Sequence, residues 1–495
     1  MTLRFSQVKF NVLFDLLLVK TSMENMDRRS FLNLLGAGVA YVVLPGGCGK
    51  DKPVRFGPQA VRHIVMISLD TTRRDHLGCY GNNWIRTPRL DELASESILF
   101  TNCMTVVPTT LPSHTSLFTG KYPHTHGTPR NGFMVNRKNV MLAEVLKDAG
   151  FRTVCIAGSF VLVSRFDFSQ GFDYYNEKFE RFVADRGLFV NERPAQSVTD
   201  AAIKLLEKEG SGPNLFLFVH YFDPHWPYTP PSSYNEMYKD DRVAHQWFVQ
   251  SQGKYGSFAG REKALNYAGE ISYMDEHVGR LIDYLKKRRI LDDAIVIVTS
   301  DHGENFCEHQ QFWSHGFTVY ETTMSAVCMV RLPNRNKSGM KVRQLIANID
   351  LMPTLLNYLG ISIPDGIDGE AIELTGREIS FPPRIRFGQA SRPWKKVETD
   401  RRWYNIRKAR CVYDGKLKYI QTPYAQREEL YDLSTDPYER NNLLLAASED
   451  FAGKAGELKR KLEVWANSAA PLPSHFEPSQ YKDTIRKLKS LGYLE

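Results

Sequence analysis

Arg62-His63-Ile64-Val65-Met66-Ile67-Ser68-Leu69-Asp70 is the stretch that decides the fold class. It is a nearly unbroken apolar run that ends on a carboxylate. A strand with one wet face would alternate apolar and polar residues, and this one does not. The run therefore predicts a parallel strand covered on both faces. Asn214-Leu215-Phe216-Leu217-Phe218-Val219-His220 and Ala294-Ile295-Val296-Ile297-Val298-Thr299-Ser300 repeat the pattern and run into Asp223 and Asp301. Functional residues of open α/β sheets gather beyond the carboxyl ends of the strands. Three such strands deliver acidic residues to one edge.

Amphipathic helical stretches lie between them, at Asn139–Ala149, Ser197–Glu209 and Ala264–Arg289. The last closes on Lys286-Lys287-Arg288-Arg289, where cations suit the negative end of the helix dipole. Alternating strands and helices predict an α/β fold with a doubly wound, mostly parallel sheet. Residues 232–262 show no clear periodicity and read as a loop insertion over the site. After about residue 375, short segments such as Arg410–Tyr413 and Leu417–Ile420 alternate with turn residues. They predict a smaller α+β subdomain, an antiparallel sheet followed by a helix over Phe451–Ala466.

Length and charge bound the partners. The chain has 495 residues, 42% of them hydrophobic and 24% charged. That is ample for a large core. The net charge of +8 is a modest surplus over this length. It does not point to a nucleic-acid polymer, and it suits an anionic substrate.

Residues 26–48 read as an export signal. Arg28-Arg29-Ser30-Phe31-Leu32 resembles the twin-arginine pattern, an apolar stretch to Leu44 follows, and Gly46-Gly47-Cys48 closes it. The apolar run is too short for a membrane span. Cys48 is a candidate lipidated residue that would tether the mature protein to a membrane, although Pro45 stands where a Leu is usual. The expected location is the periplasm or cell envelope. Residues 1–25 fit no signal pattern, so Met23 or Met26 is a candidate start. No two of the seven cysteines have zinc-finger spacing.

Pro108-Thr109-Thr110-Leu111-Pro112-Ser113-His114, with Leu117-Phe118-Thr119-Gly120 and His124-Thr125-His126-Gly127 behind it, resembles the core signature of the sulfatase family. So do Glu429-Leu430-Tyr431-Asp432-Leu433 and the C-terminal Leu488–Leu494. The resemblance implies an alkaline-phosphatase-like fold, with a sulfatase-like catalytic domain over 60–374 and a C-terminal subdomain over 375–495. Sulfatases oxidise a Cys or Ser to formylglycine at the position held here by Thr110. Thr is a secondary alcohol, and that oxidation cannot give an aldehyde, so no formylglycine is expected. His114 replaces the family's Arg, and Ile156–Leu162 lacks the Lys and His that grip sulfate.

At the reacting position the chain resembles two relatives of the sulfatases, the nucleotide pyrophosphatase/phosphodiesterases and the phosphoethanolamine transferases. Thr110-Leu111-Pro112-Ser113-His114 matches the former's Thr-Phe-Pro-Asn-His at three of five positions. Both relatives place a Thr nucleophile on a divalent metal. Carried over, the ligands are Asp70, Thr110, Asp301 and His302. An imidazole ligand favours zinc over calcium, with manganese as a further candidate. Asn131, after His126-Gly127, corresponds to a phosphate-contacting Asn. Asp223-Pro224-His225 and Ser314-His315-Gly316 supply candidates for binding the anion or protonating the leaving group, His225 and His315. Asp223 and His315 are also candidates for a second metal. Trp226, Tyr228, Trp247 and Phe248 are candidates for stacking on the leaving group.

The expected function is a metal-dependent, sulfatase-like hydrolase of phosphodiesters or monoesters that uses Thr110 as nucleophile. Two alternatives stand: a sulfuric ester hydrolase without formylglycine, and a non-catalytic cell-surface binding protein on a sulfatase scaffold.

Overall fold

The computed structural model describes residues 56–491 except 59, 180–181, 184–188, 191, 211, 213, 247–257, 311–313, 393–407, 447 and 475–481. The export segment with Cys48, and Trp247 and Phe248, lie outside the described residues. Among the described residues, no helix is long and apolar enough to cross a membrane.

The main sheet comprises β1 (His63–Leu69), β2 (Ile98–Phe100), β3 (Arg152–Ile156), β4 (Tyr174–Asn176), β5 (Leu215–Tyr221), β6 (Ala294–Ser300), β7 (Cys328–Arg331) and β8 (Lys341–Val342). Their order across the sheet is β8-β2-β7-β6-β1-β5-β3-β4. β1 lies between β5 and β6, parallel to both, with Leu69 opposite Tyr221 and Ser300. β7 is antiparallel to its neighbours β6 and β2. The sheet is therefore mostly parallel, and its three most apolar strands sit side by side.

Both faces of β1 are buried, which is why its sequence does not alternate. Ile64 and Met66 enter one apolar core, and Val65, Ile67 and Leu69 enter the other. The first core also takes Leu111, Leu117 and Phe118 from α1 (Thr110–Thr119), Leu142 and Leu146 from α2 (Leu142–Asp148), and residues near 351–359. The second takes Val198, Ala202 and Leu205 from α3 (Ala195–Glu209), and Ala268, Ile271 and Leu281 from α4 (Phe258–Lys287). Helices thus cover the sheet on both sides. α4 starts six residues before the expected Ala264 and absorbs the end of the stretch read as a loop insertion.

A second sheet, antiparallel throughout, runs β9 (Ile385–Gln389), β10 (Arg410–Asp414), β11 (Leu417–Thr422) and β12 (Arg427–Asp432) in order. It packs with α5 (Glu449–Asn467) through Cys411, Tyr419, Leu458, Leu462 and Trp465. Val106, Val107 and Tyr122, which flank α1, share that core. Both sheets belong to one compact unit, residues 53–495.

Candidate active site

α1 is unusual in being buried along its whole length, polar residues included. Its hydroxyls are satisfied locally or across the sheet. Thr115 Oγ1 donates to Leu111 O at 2.7 Å, and Ser113 Oγ to Asp301 O at 2.7 Å. Pro112 falls in the first turn, where its missing N–H costs nothing. Gly120 ends the helix at φ 65°, a left-handed conformation that glycine adopts without penalty. The N-terminal end is therefore held rigidly, and Thr110 sits at its first turn.

The register of β1 with β6 brings Asp70 and Asp301 together just past the strand ends. Thr110 Oγ1 donates to His302 Nε2 at 3.5 Å and lies beside the Asp70 carboxylate. His302 Nδ1 donates to Gly303 O at 2.9 Å, which leaves Nε2 as the bare nitrogen, 3.4 Å from Asp301 Oδ2. Asp301 Oδ1 accepts the N–H groups of Thr71 (3.1 Å) and His302 (2.8 Å). Asp70 Oδ1 and Asp301 Oδ2 are buried with no hydrogen-bond partner. Among the described residues, Asp70, Asp301 and His302 are the one group of three metal-type donors, all within 4.8 Å of one another.

The electrostatics of this cluster suit a cation. Burial first, and then repulsion from Asp301 and Glu304, holds the Asp70 carboxyl well above its ordinary range. Burial likewise raises Asp301, to about 6, while His114 and the two N–H donors oppose the rise. Burial and the neighbouring His315 lower His302 to about 3. Two buried carboxylates with orphaned oxygens, beside a neutral imidazole nitrogen, lack a positive charge. A divalent cation bound by Asp70, Asp301, His302 and the Thr110 hydroxyl fits that deficit.

Around this centre stand the other expected residues. Asn131 Oδ1 accepts the Leu111 N–H at 2.8 Å, capping α1, while its Nδ2 is buried without a partner. The His225 ring stacks on Phe222 at 4.2 Å, and its Nδ1 donates to Trp226 O at 2.7 Å. His315 lies 4.4 Å from the His302 ring and 5.4 Å from the His225 ring. Its Nδ1 faces both oxygens of Glu304, at 3.2 and 3.3 Å. His114 is structural: Nδ1 donates to Thr110 O and Nε2 accepts from Ser68 Oγ, each at 2.8 Å.

Asp223 sits apart from the three-donor cluster. It lies near Glu192 and Glu270 and is raised to about 7 by burial. His315 borders the cluster without belonging to it. Tyr228 is buried and donates to Glu304 Oε2 at 3.2 Å, so it supports the site rather than a leaving group. Trp226 keeps 38% of its surface exposed and remains available for stacking.

Two residues escaped the sequence reading. His220 Nε2 donates to Asp70 Oδ2 at 3.2 Å from within β5. Its only sequence signal is an imidazole inside an apolar strand. Glu304 orients His315 and stands two residues after His302 in Asp301-His302-Gly303-Glu304.

The family described as Sulfatase matches residues 62–361, which span both strand-end aspartates, α1 and His315. The chain belongs to the sulfatase family. The C-terminal region described for N-sulphoglucosamine sulphohydrolase matches residues 308–467. An N-acetylglucosamine-6-O-sulfatase of Bacteroides thetaiotaomicron is 25% identical, over 81% of this chain and 85% of its own length. An arylsulfatase of Clostridium perfringens is 26% identical, over 81% of this chain and 93% of its own. Among solved structures, a phosphonate monoester hydrolase from Silicibacter pomeroyi superposes with TM-score 0.65 at 20% identity, covering 83% of this chain and 96% of that one. This sulfatase-family protein is an ester hydrolase.

Proposed function

We propose that this protein hydrolyses phosphate esters through Thr110. The observation that carries the proposal is the hydroxyl itself. It lies at the start of a buried helix, beside the Asp70 carboxylate and 3.5 Å from His302 Nε2. Asp70, Thr110, Asp301 and His302 hold a divalent cation, and the nitrogen ligand favours zinc. Bound there, the cation supplies stabilisation of negative charge on Thr110 Oγ1 and on the ester oxygens.

Thr110 Oγ1 attacks phosphorus, its bond to phosphorus forms, and the bond from phosphorus to the leaving oxygen breaks. Asp70, the carboxylate beside the hydroxyl, takes its proton as Oγ1 attacks. Asn131 Nδ2 is an unused buried donor beside the nucleophile's helix and binds a phosphoryl oxygen. His225 and His315 bind the anion or protonate the leaving oxygen, with Glu304 orienting His315. Water then attacks phosphorus, the bond from phosphorus to Thr110 Oγ1 breaks, Oγ1 takes back its proton from Asp70, and the water's proton leaves with the phosphate product. Formylglycine hydrate expels its ester by collapse of a second hydroxyl on the same carbon, and Thr110 has none. In-line displacement suits a phosphoryl centre better than a sulfuryl one under that limit.

Sulfate ester hydrolysis is the second reading, favoured by the relatives that are named sulfatases. The full chain should be assayed on nitrophenyl phosphate, bis-nitrophenyl phosphate and nitrophenyl sulfate, each with zinc, manganese or calcium, beside Thr110→Ala. The proposal expects phosphate ester turnover with zinc that Thr110→Ala abolishes. Turnover of the sulfate alone, with calcium preferred, would replace it by the second reading. The proposal extends to an exported, cell-envelope protein, on the strength of Arg28-Arg29 and Cys48.

A further inference from the structure

The C-terminal sheet reaches the site at one corner. β9 ends at Gln389, whose N–H donates to Val106 O at 3.0 Å, just ahead of α1. Two residues on, Ser391 Oγ shares a hydrogen bond with Thr109 Oγ1, and Thr109 immediately precedes the nucleophile. The N–H groups of Ser391 and Arg392 both donate to Gly316 O, at 3.0 and 2.8 Å. Gly316 follows His315 and takes φ 86°. A Cβ there would stand 2.9 Å from Ser391 Oγ and 3.1 Å from Thr109 Oγ1. Three segments thus meet with no room for a side chain at position 316.

This corner fixes the place of Arg392, which no step of the proposed reaction uses. Arg392 is half-buried, and its guanidinium carbon stands 4.7 Å from the centre of the Phe317 ring. Its charge reaches His315, whose proton affinity it lowers further after burial has lowered it first. Outward from the three-donor cluster comes His315, its ring 4.4 Å from that of His302, and then Arg392. Stacking engages the face of a guanidinium and leaves the N–H edge, a planar fork of five donors, for hydrogen bonds. Such a fork matches a carboxylate, sulfate or phosphate.

We propose that Arg392 is a specificity-determining residue that selects esters whose leaving group carries a second anionic group. The inference rests on the proposed ester-cleaving site and adds to it the class of leaving group. The reacting ester's own charge is met by the bound cation and Asn131. His315 serves the anion or the leaving oxygen, and Arg392 lies one step beyond it, where a leaving group extends. Trp226, exposed beside His225, offers a ring face that suits a cyclic leaving group. An Arg392 that only held the corner together would affect all ligands alike.

Titration calorimetry of the full-length protein with zinc, comparing para-carboxybenzylphosphonate with para-carbamoylbenzylphosphonate, tests the proposal. These compounds mimic aryl phosphates with a methylene in place of the ester oxygen and cannot be cleaved as esters. The matching pair of benzylsulfonates stands for the sulfate reading. The carboxylate should bind about tenfold more tightly than its neutral counterpart. That preference should vanish in Arg392→Gln and survive in part in Arg392→Lys, whose ammonium keeps the charge and loses the fork. The ratio is read within whichever pair binds. Failure of the phosphate reading would therefore show as binding of the sulfonates alone, with the preference intact. Equal affinity within the pairs, a preference that survives Arg392→Gln, equal weakening of both members in that variant, or binding by none of the four compounds would overturn the proposal.

Discussion

At the scale of single residues, the site reads as a hydroxyl placed where its relatives place an aldehyde. Thr110 was legible from its position in Thr110-Leu111-Pro112-Ser113-His114, and Asp70, Asp301 and His302 from their places after buried strands. His220 was not legible. Its role depends on β5 lying beside β1, and pairing between strands far apart in sequence leaves no local mark. It orients Asp70, so His220→Ala should weaken divalent cation binding by about 10- to 100-fold. Equilibrium titration with zinc, followed by competition with a chelator, would check this. An unchanged affinity would remove His220 from the site's support.

At the scale of elements, the strands were the clearest part of the chain. Val65, Ile67 and Leu69 face one core and Ile64 and Met66 the other, and a run with no polar alternation says so directly. Helix ends were less legible. α4 begins at Phe258 rather than Ala264, because tertiary packing extends a helix past its evident amphipathic pattern. Two element-scale contacts set up the site. Asn131 caps α1 through the Leu111 N–H, so Asn131→Ala should cost about 1–2 kcal/mol in denaturant unfolding, apart from any effect on turnover. Gly303 carries His302 past Thr322 so closely that an added Cβ would sit 2.2 Å from the Thr322 carbonyl oxygen. Gly303→Ala should therefore destabilise by about 1–3 kcal/mol and displace His302. A wild-type urea midpoint in that variant would contradict the packing described.

At the scale of the whole molecule, buried histidines outside the cluster set an acid limit. Burial lowers His124 to about 4, and burial with His124 and Lys121 nearby lowers His126 to about 3. The His126 ring is built into the fold as a neutral group. Nδ1 accepts the Thr128 N–H at 3.0 Å, and Nε2 donates to Ser116 Oγ at 3.0 Å. The unfolded chain binds these protons near pH 6.5 and the folded chain does not. Their contribution is fully present above about pH 6.5. It shrinks as pH falls toward 4 for His124 and 3 for His126. Each histidine adds a slope of up to about 1.4 kcal/mol per pH unit. Urea unfolding across pH 7 to 4 should show falling stability, with a shallower fall in His124→Phe. The family's overall plan was legible at this scale from a few strand ends and one helix start. The ester was not, because the fold hosts both chemistries and the choice lies in the site.

The central claim is that Thr110 itself carries the transferred group. The direct measurement is mass spectrometry of acid-quenched protein, taken during turnover of a slow phosphate ester in the presence of zinc. The account predicts a phosphoryl group on the peptide that contains Thr110, absent from His302→Ala. An unmodified Thr110 peptide at every time point, while ester is consumed and the intermediate is shown to survive the quench, would contradict it.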